Sequence, residues 1–320
     1  MRNEKHPGCK ACWQAEDNGL VSLRQSANSG RWEEFKHRTV NDKCNEPPAQ
    51  LKYNVGNQCN LACRMCVPNS SSKVKKVWDI LGKTDKFVVD SLSWYDYIRE
   101  NYKSIRYLDI TGGEPFYHKN TKKILQFMIE KKVAKDVTLY IITNLTLIDQ
   151  SIVDILKKFK EVVIRVSIDA VGKRQEYIRP GLNWEKFMEN IKLVKSADLN
   201  IVVNPTISVL SMIHYNELEE WCVQNGITLS QQASVVVYPN EMAPHNLPSQ
   251  LHHLVPKKFQ KFLINPIDAD SLNFVRQLDT IWKTNIVEYM PEWQIAYDSL
   301  HWKNFDYLKK LDYELEKYVK

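Results

Sequence analysis

Apolar and polar positions alternate along this chain in two registers. Short runs rich in Val, Ile, Leu and Tyr, at 50–55, 105–110, 137–143, 161–168, 199–209 and 228–237, carry few charges and read as strands, several of them buried on both faces. Between them, at about 74–82, 91–102, 119–133, 149–158, 184–197 and 214–225, apolar residues recur every three or four positions and predict amphipathic helices. Six strands with helical segments in each of the intervals between them predict an α/β fold with a parallel sheet and right-handed crossovers. The periodicity leaves open whether the sheet is doubly wound or a curved partial barrel.

The repeat has flanks of different character. Residues 1–48 precede the first strand and show helical spacing over 11–26 and a further helical turn at 31–37; Pro47 and Pro48 then close the segment. Beyond Tyr238-Pro239, three prolines (Pro239, Pro244, Pro248) mark an irregular stretch, followed by helical patterns at 256–264, 270–288 and 292–318. In the last of these, Leu300, Phe305, Leu308, Leu311, Leu315 and Tyr318 form an apolar stripe that would pack on the main domain. Trp282, Trp293 and Trp302 read as core. The expected organisation is an N-terminal segment 1–48, a core domain 49–240 and a C-terminal helical extension 241–320.

Composition narrows the function classes. A chain of 320 residues with 43% hydrophobic content has ample material for a large core. No apolar run is long enough for a membrane-spanning helix, and the first residues lack the apolar stretch of a signal peptide, so the expectation is a cytoplasmic protein with no membrane partner. The net charge of +6 arises within residues 1–240, and the lysines come in short, separated runs, so a nucleic-acid partner is permitted but not indicated. Seven cysteines are an odd count and no disulfide framework; in a reducing compartment, clustered cysteines read as metal ligands.

Three of these cysteines stand in Asn57-Gln58-Cys59-Asn60-Leu61-Ala62-Cys63-Arg64-Met65-Cys66, directly after a strand that ends at Gly56. Thiolates are natural ligands of iron–sulfur clusters, and close spacing lets one loop wrap one cluster. Three thiolates leave one iron of a four-iron cluster open to a small molecule. The competing readings are a partial zinc site or three unrelated buried cysteines, although zinc sets usually supply four ligands and no histidine lies close in sequence. Cys222, in an apolar helix beside Trp221, reads as core. His118, His214, His245, His252 and His253 show no metal spacing, and neither a Ser-His-Asp set nor a P-loop is present.

Further polar residues end the strands. Thr111-Gly112-Gly113-Glu114-Pro115 follows the second, where two glycines permit close backbone approach and a carboxylate can hold an ammonium group. Asn144 ends the third; Ser167 and Asp169 end the fourth, two apart and so on one face of an extended strand. Asp169 would otherwise cap the next helix. Tyr177-Ile178-Arg179-Pro180-Gly181 comes next; Arg179 is equally compatible with an exposed surface role.

Together the C-x3-C-x2-C loop, the Gly-Gly-Glu-Pro stretch and the phrase Ser-Ile-Asp followed by Tyr-Ile-Arg-x-Gly resemble the signature of radical S-adenosylmethionine (SAM) enzymes over residues 50–240. The resemblance implies a partial (β/α)6 barrel with the cofactors at the strand C-termini, and a [4Fe–4S] cluster on Cys59, Cys63 and Cys66 whose open iron takes the amino and carboxylate groups of SAM. Gly112, Gly113, Glu114 and Pro115 would lie by the SAM amino group and Ser167 and Asp169 near its ribose. Arg179 would meet the SAM carboxylate; Asn144 would belong to the same SAM site. Met65 stands where many relatives have an aromatic residue beside the adenine, and its thioether can fill that space. It further implies reductive cleavage of SAM to a 5′-deoxyadenosyl radical that abstracts hydrogen from substrate, with an electron donor such as flavodoxin or ferredoxin. The N-terminal Cys9-x2-Cys12-Trp13 segment resembles twitch or SPASM-type, peptide-modifying members, some of them phage-encoded. There Cys9, Cys12 and Cys44 would hold a second iron–sulfur cluster; a zinc site and a remnant that binds nothing remain open. The substrate implied is a peptide or protein. A non-catalytic iron–sulfur or SAM-binding protein, a zinc-stabilised interaction module and an RNA-modifying enzyme are the alternatives.

Overall fold

The structure, a computed structural model, describes residues 46–83, 94–231, 233–263 and 268–299, together with 5, 7–17, 19, 22, 25, 35, 38–40 and 43–44 of the N-terminal segment. That segment contains helix α1 (Lys10–Asp17), preceded by a 3-10 turn at Pro7–Cys9, and a small antiparallel pair, β1 (Thr39–Val40) with β2 (Lys43–Cys44). The helical spacing expected over 11–26 thus runs to Asp17 among the described residues, and most of 31–37 lies outside them.

Six strands form the core sheet: β3 (Gln50–Asn54), β4 (Tyr107–Thr111), β5 (Thr138–Thr143), β6 (Glu161–Val166), β7 (Asn200–Val203) and β9 (Thr228–Leu229). All neighbours pair in parallel, and their order in space is their order in the chain. A doubly wound sheet would reverse its order at a switch point. Sequential order with right-handed crossovers instead puts the connecting helices on one face, the arrangement of a partial barrel. The first and last strands do not pair with each other, so the sheet is open.

Helices α2 (Ser72–Ile80), α3 (Trp94–Asn101), α4 (Lys119–Glu130), α5 (Gln150–Leu156), α6 (Lys173–Ile178), α7 (Trp184–Ser196) and α8 (Tyr215–Gln224) connect the strands. Their caps explain several starts: Asp149 accepts from the Ile152 N–H and Asn183 from the Lys186 N–H. The core lies between sheet and helices, with Leu108, Ile110, Leu139, Ile141 and Ile164 of the strands fully buried.

Two expected strands are interrupted. The run 199–209 becomes β7 and a short β8 (Thr206–Ile207), broken at Asn204-Pro205, where proline has no N–H to give the ladder. The run 228–237 becomes β9 and β10 (Ser234–Val235), broken at a polar stretch. The ladder nevertheless bridges both breaks: the Ser230 N–H donates to Val203 O at 2.8 Å, the Ser234 N–H to Pro205 O at 2.9 Å.

Beyond the sheet the chain makes 3-10 turns, including one at Lys257–Phe262 where a helix was expected, then α9 (Asp268–Trp282), α10 (Ile286–Tyr289) and α11 (Gln294–Asp298). The helix expected over 270–288 is divided at Lys283, whose φ of 52° ends α9. The apolar stripe from Leu300 to Tyr318 lies outside the described residues. Among the described residues no helix is long and apolar enough to cross a membrane.

Candidate cofactor site at the strand C-termini

The site is built on the loop after β3. Gly112 and Gly113 make that loop possible. Gly112 has φ +132°, and a Cβ on it would lie 2.6 Å from Gly56 O; one on Gly113 would lie 2.3 Å from Gln58 O. Their bare backbones let the end of β4 dock on the cysteine loop, the Gly113 N–H donating to Gly56 O at 2.7 Å and the Glu114 N–H to Gln58 O at 2.8 Å. From the opposite side the Tyr-Ile-Arg-Pro-Gly segment forms a bed. The Ala62 N–H donates to Pro180 O at 3.2 Å and the Arg64 N–H to Ile178 O at 3.0 Å. Asn144 donates to Asn60 Oδ1 at 2.9 Å, tying the loop to the end of β5.

A cavity of about 440 Å³ opens over this loop. Cys59, Cys63 and Cys66 line it together with Met65, Gly112, Gly113, Asn144, Ser167 and Arg179. No histidine, carboxylate or fourth cysteine is among its lining residues. Glu114, Pro115 and Asp169 sit behind the lining rather than in it.

Glu114 is fully buried. It accepts from the Thr143 hydroxyl at 2.7 Å, the Asn144 N–H at 2.7 Å and the Phe116 N–H at 3.2 Å. Burial pushes its pKa up to about 7, although all three donors pull it down. Asp169 is also fully buried and accepts from Arg179 Nε at 2.7 Å and from the Thr206 N–H at 2.8 Å. The two-residue alternation that would put it beside Ser167 fails because β6 ends at Val166 and the Ile168 N–H turns back onto Val166 O. Nor does Asp169 cap the next helix, whose N-cap is Gly172. Gln175 holds this turn, accepting from the Asp169 and Ala170 N–H groups and donating to Ser167 O.

Arg179 is held by Asp169 and extends Nη1 to within 3.5 Å of Cys63 Sγ. Burial works against its charge, but Asp169 and Cys63 outweigh it and raise its pKa. The hydrogen bond with Cys66, aided by Arg179, draws the Cys63 thiol down to about 7, whereas burial pushes Cys59 up to about 11.

A second contact set was not legible in the motifs. Arg64, between two of the cysteines, donates from Nε to Tyr177 O at 2.7 Å and stacks on the Tyr177 ring at 3.8 Å. Its Nη2 meets Asp279 Oδ1 at 3.1 Å. Asp279, on α9, also accepts from the Tyr177 and Thr284 hydroxyls and the Ile286 N–H. One signal could have found it: Asp279 follows Leu272 and Val275 by seven and four positions, a carboxylate within a buried stripe.

The donor set fits a cluster better than a lone ion. Among the described residues no group of three or more His, Cys, Asp and Glu side chains converges on one metal position. A zinc ion needs every sulfur within about 2.3 Å of one point, whereas a four-iron cluster takes each thiolate on its own iron. Three thiols around one roomy cavity with no fourth protein ligand among its described lining residues meet the second requirement. Cys9 and Cys12 are half-buried, three positions apart across the start of α1; the side chain of Cys44 lies outside the described residues. Cys222 is buried in the core.

Fold and site define a parallel α/β protein with a three-cysteine cofactor loop at the strand C-termini. The family model of the Radical SAM superfamily matches residues 53–222, more than half of the chain, and the protein belongs to that superfamily. Its cofactors are accordingly a [4Fe–4S] cluster and SAM. It is 28% identical over 182 residues to the antilisterial bacteriocin subtilosin biosynthesis protein AlbA of Bacillus subtilis (strain 168), over 54% of this chain and 36% of that protein. It is 25% identical over 171 residues to the GTP 3',8-cyclase of Aquifex aeolicus (strain VF5), over 52% of this chain and 50% of that one. The chain thus spans half or less of the length of these curated relatives. Among solved structures, His6-tagged anSMEcpe with bound AdoMet aligns at a TM-score of 0.45 and 18% identity, over 57% of this chain and 49% of that one.

Proposed function

We propose that the protein is a radical SAM enzyme acting on a peptide or protein. The observation that carries this reading is the convergence of Cys59, Cys63 and Cys66 with Gly112, Gly113, Asn144, Ser167 and Arg179 on one cavity. Cys59, Cys63 and Cys66 would hold the cluster, with the open iron left to SAM. Bound and reduced by one electron, these cofactors supply a 5′-deoxyadenosyl radical able to abstract hydrogen from substrate.

The side chains then have separable tasks. The bare backbones of Gly112 and Gly113 allow the SAM amino group to approach, with the Glu114 carboxyl close behind them. Arg179, fixed by Asp169, offsets thiolate charge at Cys63 and offers a cation to the SAM carboxylate. Ser167 and Asn144 bring polar groups to the nucleoside, while Met65, Ile142 and Val236 give the cavity an apolar wall that excludes water. The electron would come from a flavodoxin- or ferredoxin-type donor, in the cytoplasm. We assign 49–240 as the catalytic core, 1–48 as a twitch-like segment and 241–320 as a helical extension. Cys9 and Cys12 would begin a second metal centre in the twitch-like segment.

The peptide assignment is supported by the resemblance of the Ser-Ile-Asp and Tyr-Ile-Arg-x-Gly phrases and by the bacteriocin-biosynthesis relative. The GTP 3',8-cyclase relative favours the second reading, a nucleotide substrate. After anaerobic reconstitution, about four iron and four sulfide are expected at the Cys59, Cys63 and Cys66 site, and the reduced protein should convert SAM to 5′-deoxyadenosine. Candidate peptides should accelerate that conversion more than GTP does; acceleration by GTP alone would reverse the order. No 5′-deoxyadenosine from fully reduced protein would leave a binding protein only.

A further inference from the structure

Among the described residues, Tyr117, Val223, Leu254 and Ile295 are large apolar side chains exposed one at a time, which is ordinary for a protein surface. Val235, Val237 and Tyr238 are exposed within four consecutive positions, Val237 to 77%. These residues and Val236 also line the cofactor cavity. No charged side chain occurs between residues 228 and 240, although solvent-exposed edge strands are commonly guarded by lysine.

The backbone here is as unusual as the side chains. β10 continues the last strand of the sheet, and its inner edge is occupied by β8. The Ser234 N–H donates to Pro205 O and the Val236 N–H to Ile207 O, each at 2.9 Å. In a parallel ladder successive residues turn their peptide groups to opposite edges. Val235, and Val237 beyond it, therefore offer N–H and C=O outward, where no described strand pairs with them. Outward amides at strand spacing, with apolar side chains and no charge, complement another extended polypeptide backbone. They do not match a nucleotide, whose phosphates call for cations.

We propose that an extended segment of the substrate peptide adds to the outer edge of β10 as a further strand and so feeds its neighbouring residues into the cofactor cavity. The proposal rests on the peptide reading above and specifies how the peptide is held: backbone pairing supplies affinity, and the cavity selects the residue that reacts.

The test uses the anaerobically reconstituted protein and a short fluorescein-tagged peptide of alternating Thr and Val. Binding is followed by anisotropy and by hydrogen exchange at the Val235 and Val237 amides. The peptide should bind and slow exchange at both amides. N-methylation of alternate peptide residues in one register should weaken binding about tenfold, and in the other register hardly at all. Val237→Pro removes an outward donor without touching the β8 ladder and should weaken binding several-fold. Val235→Lys/Val237→Lys, which puts on the edge the charge that opposes strand addition, should weaken it too if the proline variant proves misfolded by circular dichroism. No binding, unchanged exchange at the two amides, or equal response to both methylation registers overturns the proposal. So does strong protection of those amides without peptide, which would mean that another segment of this chain, such as 300–320, already covers the edge. Peptide-independent 5′-deoxyadenosine formation is measured alongside. If it persists while edge binding fails, the docking proposal falls and the radical SAM reading stands; if edge binding occurs without SAM cleavage, the converse holds.

Discussion

At the scale of single residues, the site depends on buried charges with assigned partners. Glu114 is the clearest case. Its folded pKa of about 7 lies above its ordinary 4.5, so the folded state holds the proton more tightly than the unfolded one. Stability from this group is fully present below pH 4.5 and is lost as pH rises toward 7, by about 3 kcal/mol. Urea unfolding of cluster-free protein across that range should show this loss in the wild type and not in Glu114→Gln. Equal pH slopes would mean that Glu114 stays ionised when buried. Arg179 tests the neighbouring pair. Removing one partner of a buried ion pair costs about 3–5 kcal/mol, and Arg179→Gln would leave Asp169 with only the Thr206 N–H. The urea midpoint should fall accordingly. A variant as stable as the wild type would show that the Arg179–Asp169 pair contributes no net stability. The sequence marked Glu114 and Asp169 as polar residues at strand ends and Arg179 as part of a stretch ahead of the next helix. It did not show that Glu114 and Asp169 stand behind the cavity wall, because that depends on how the turns after β4 and β6 fold back.

At the scale of elements, three segments distant in sequence grip the cysteine loop: the glycine turn after β4, the bed after α6, and α9. The first grip is steric. A Cβ on Gly113 would lie 2.3 Å from Gln58 O and 2.7 Å from the Asn57 backbone. Gly113→Ala should therefore displace the loop and sharply reduce iron incorporation, with far-ultraviolet circular dichroism unchanged; normal iron content would show that the loop can yield. The third grip is electrostatic. Asp279 gathers Arg64, Tyr177, Thr284 and the start of α10 on one carboxylate. Asp279→Ala should cost about 3–5 kcal/mol by stranding the fully buried Arg64, and should lower iron retention on desalting. Arg64→Met in the same background should recover part of the stability. If it does not, the two residues are not coupled.

At the scale of the whole molecule, strand order, cavity and loop belong to one arrangement. Sequential parallel strands collect the ends of β3, β4, β5 and β6 at one mouth, and the open edge carries β10 to the same mouth. Metal removal tests this directly. Cys59→Ala/Cys63→Ala/Cys66→Ala should abolish cluster iron and SAM cleavage while leaving the sheet intact, since these thiols lie in a loop rather than in the strands. Retention of the full iron complement would place the cluster elsewhere.

The sequence alone determined the α/β class, nearly every strand position, the three-cysteine loop and the glycine turn, because burial periodicity and short ligand spacing are local properties written in consecutive residues. It left open the choice between a doubly wound and a singly wound sheet, since both share the same strand–helix period. Tertiary structure decided that choice, through which strands pair. It also decided that Tyr177-Ile178-Arg179-Pro180-Gly181 is the bed of the cysteine loop, that Asp279 answers Arg64 from more than two hundred residues away, and that the uncharged edge of β10 opens beside the cavity. Each of these is a contact between segments far apart in the chain, and no periodicity within either partner records the other.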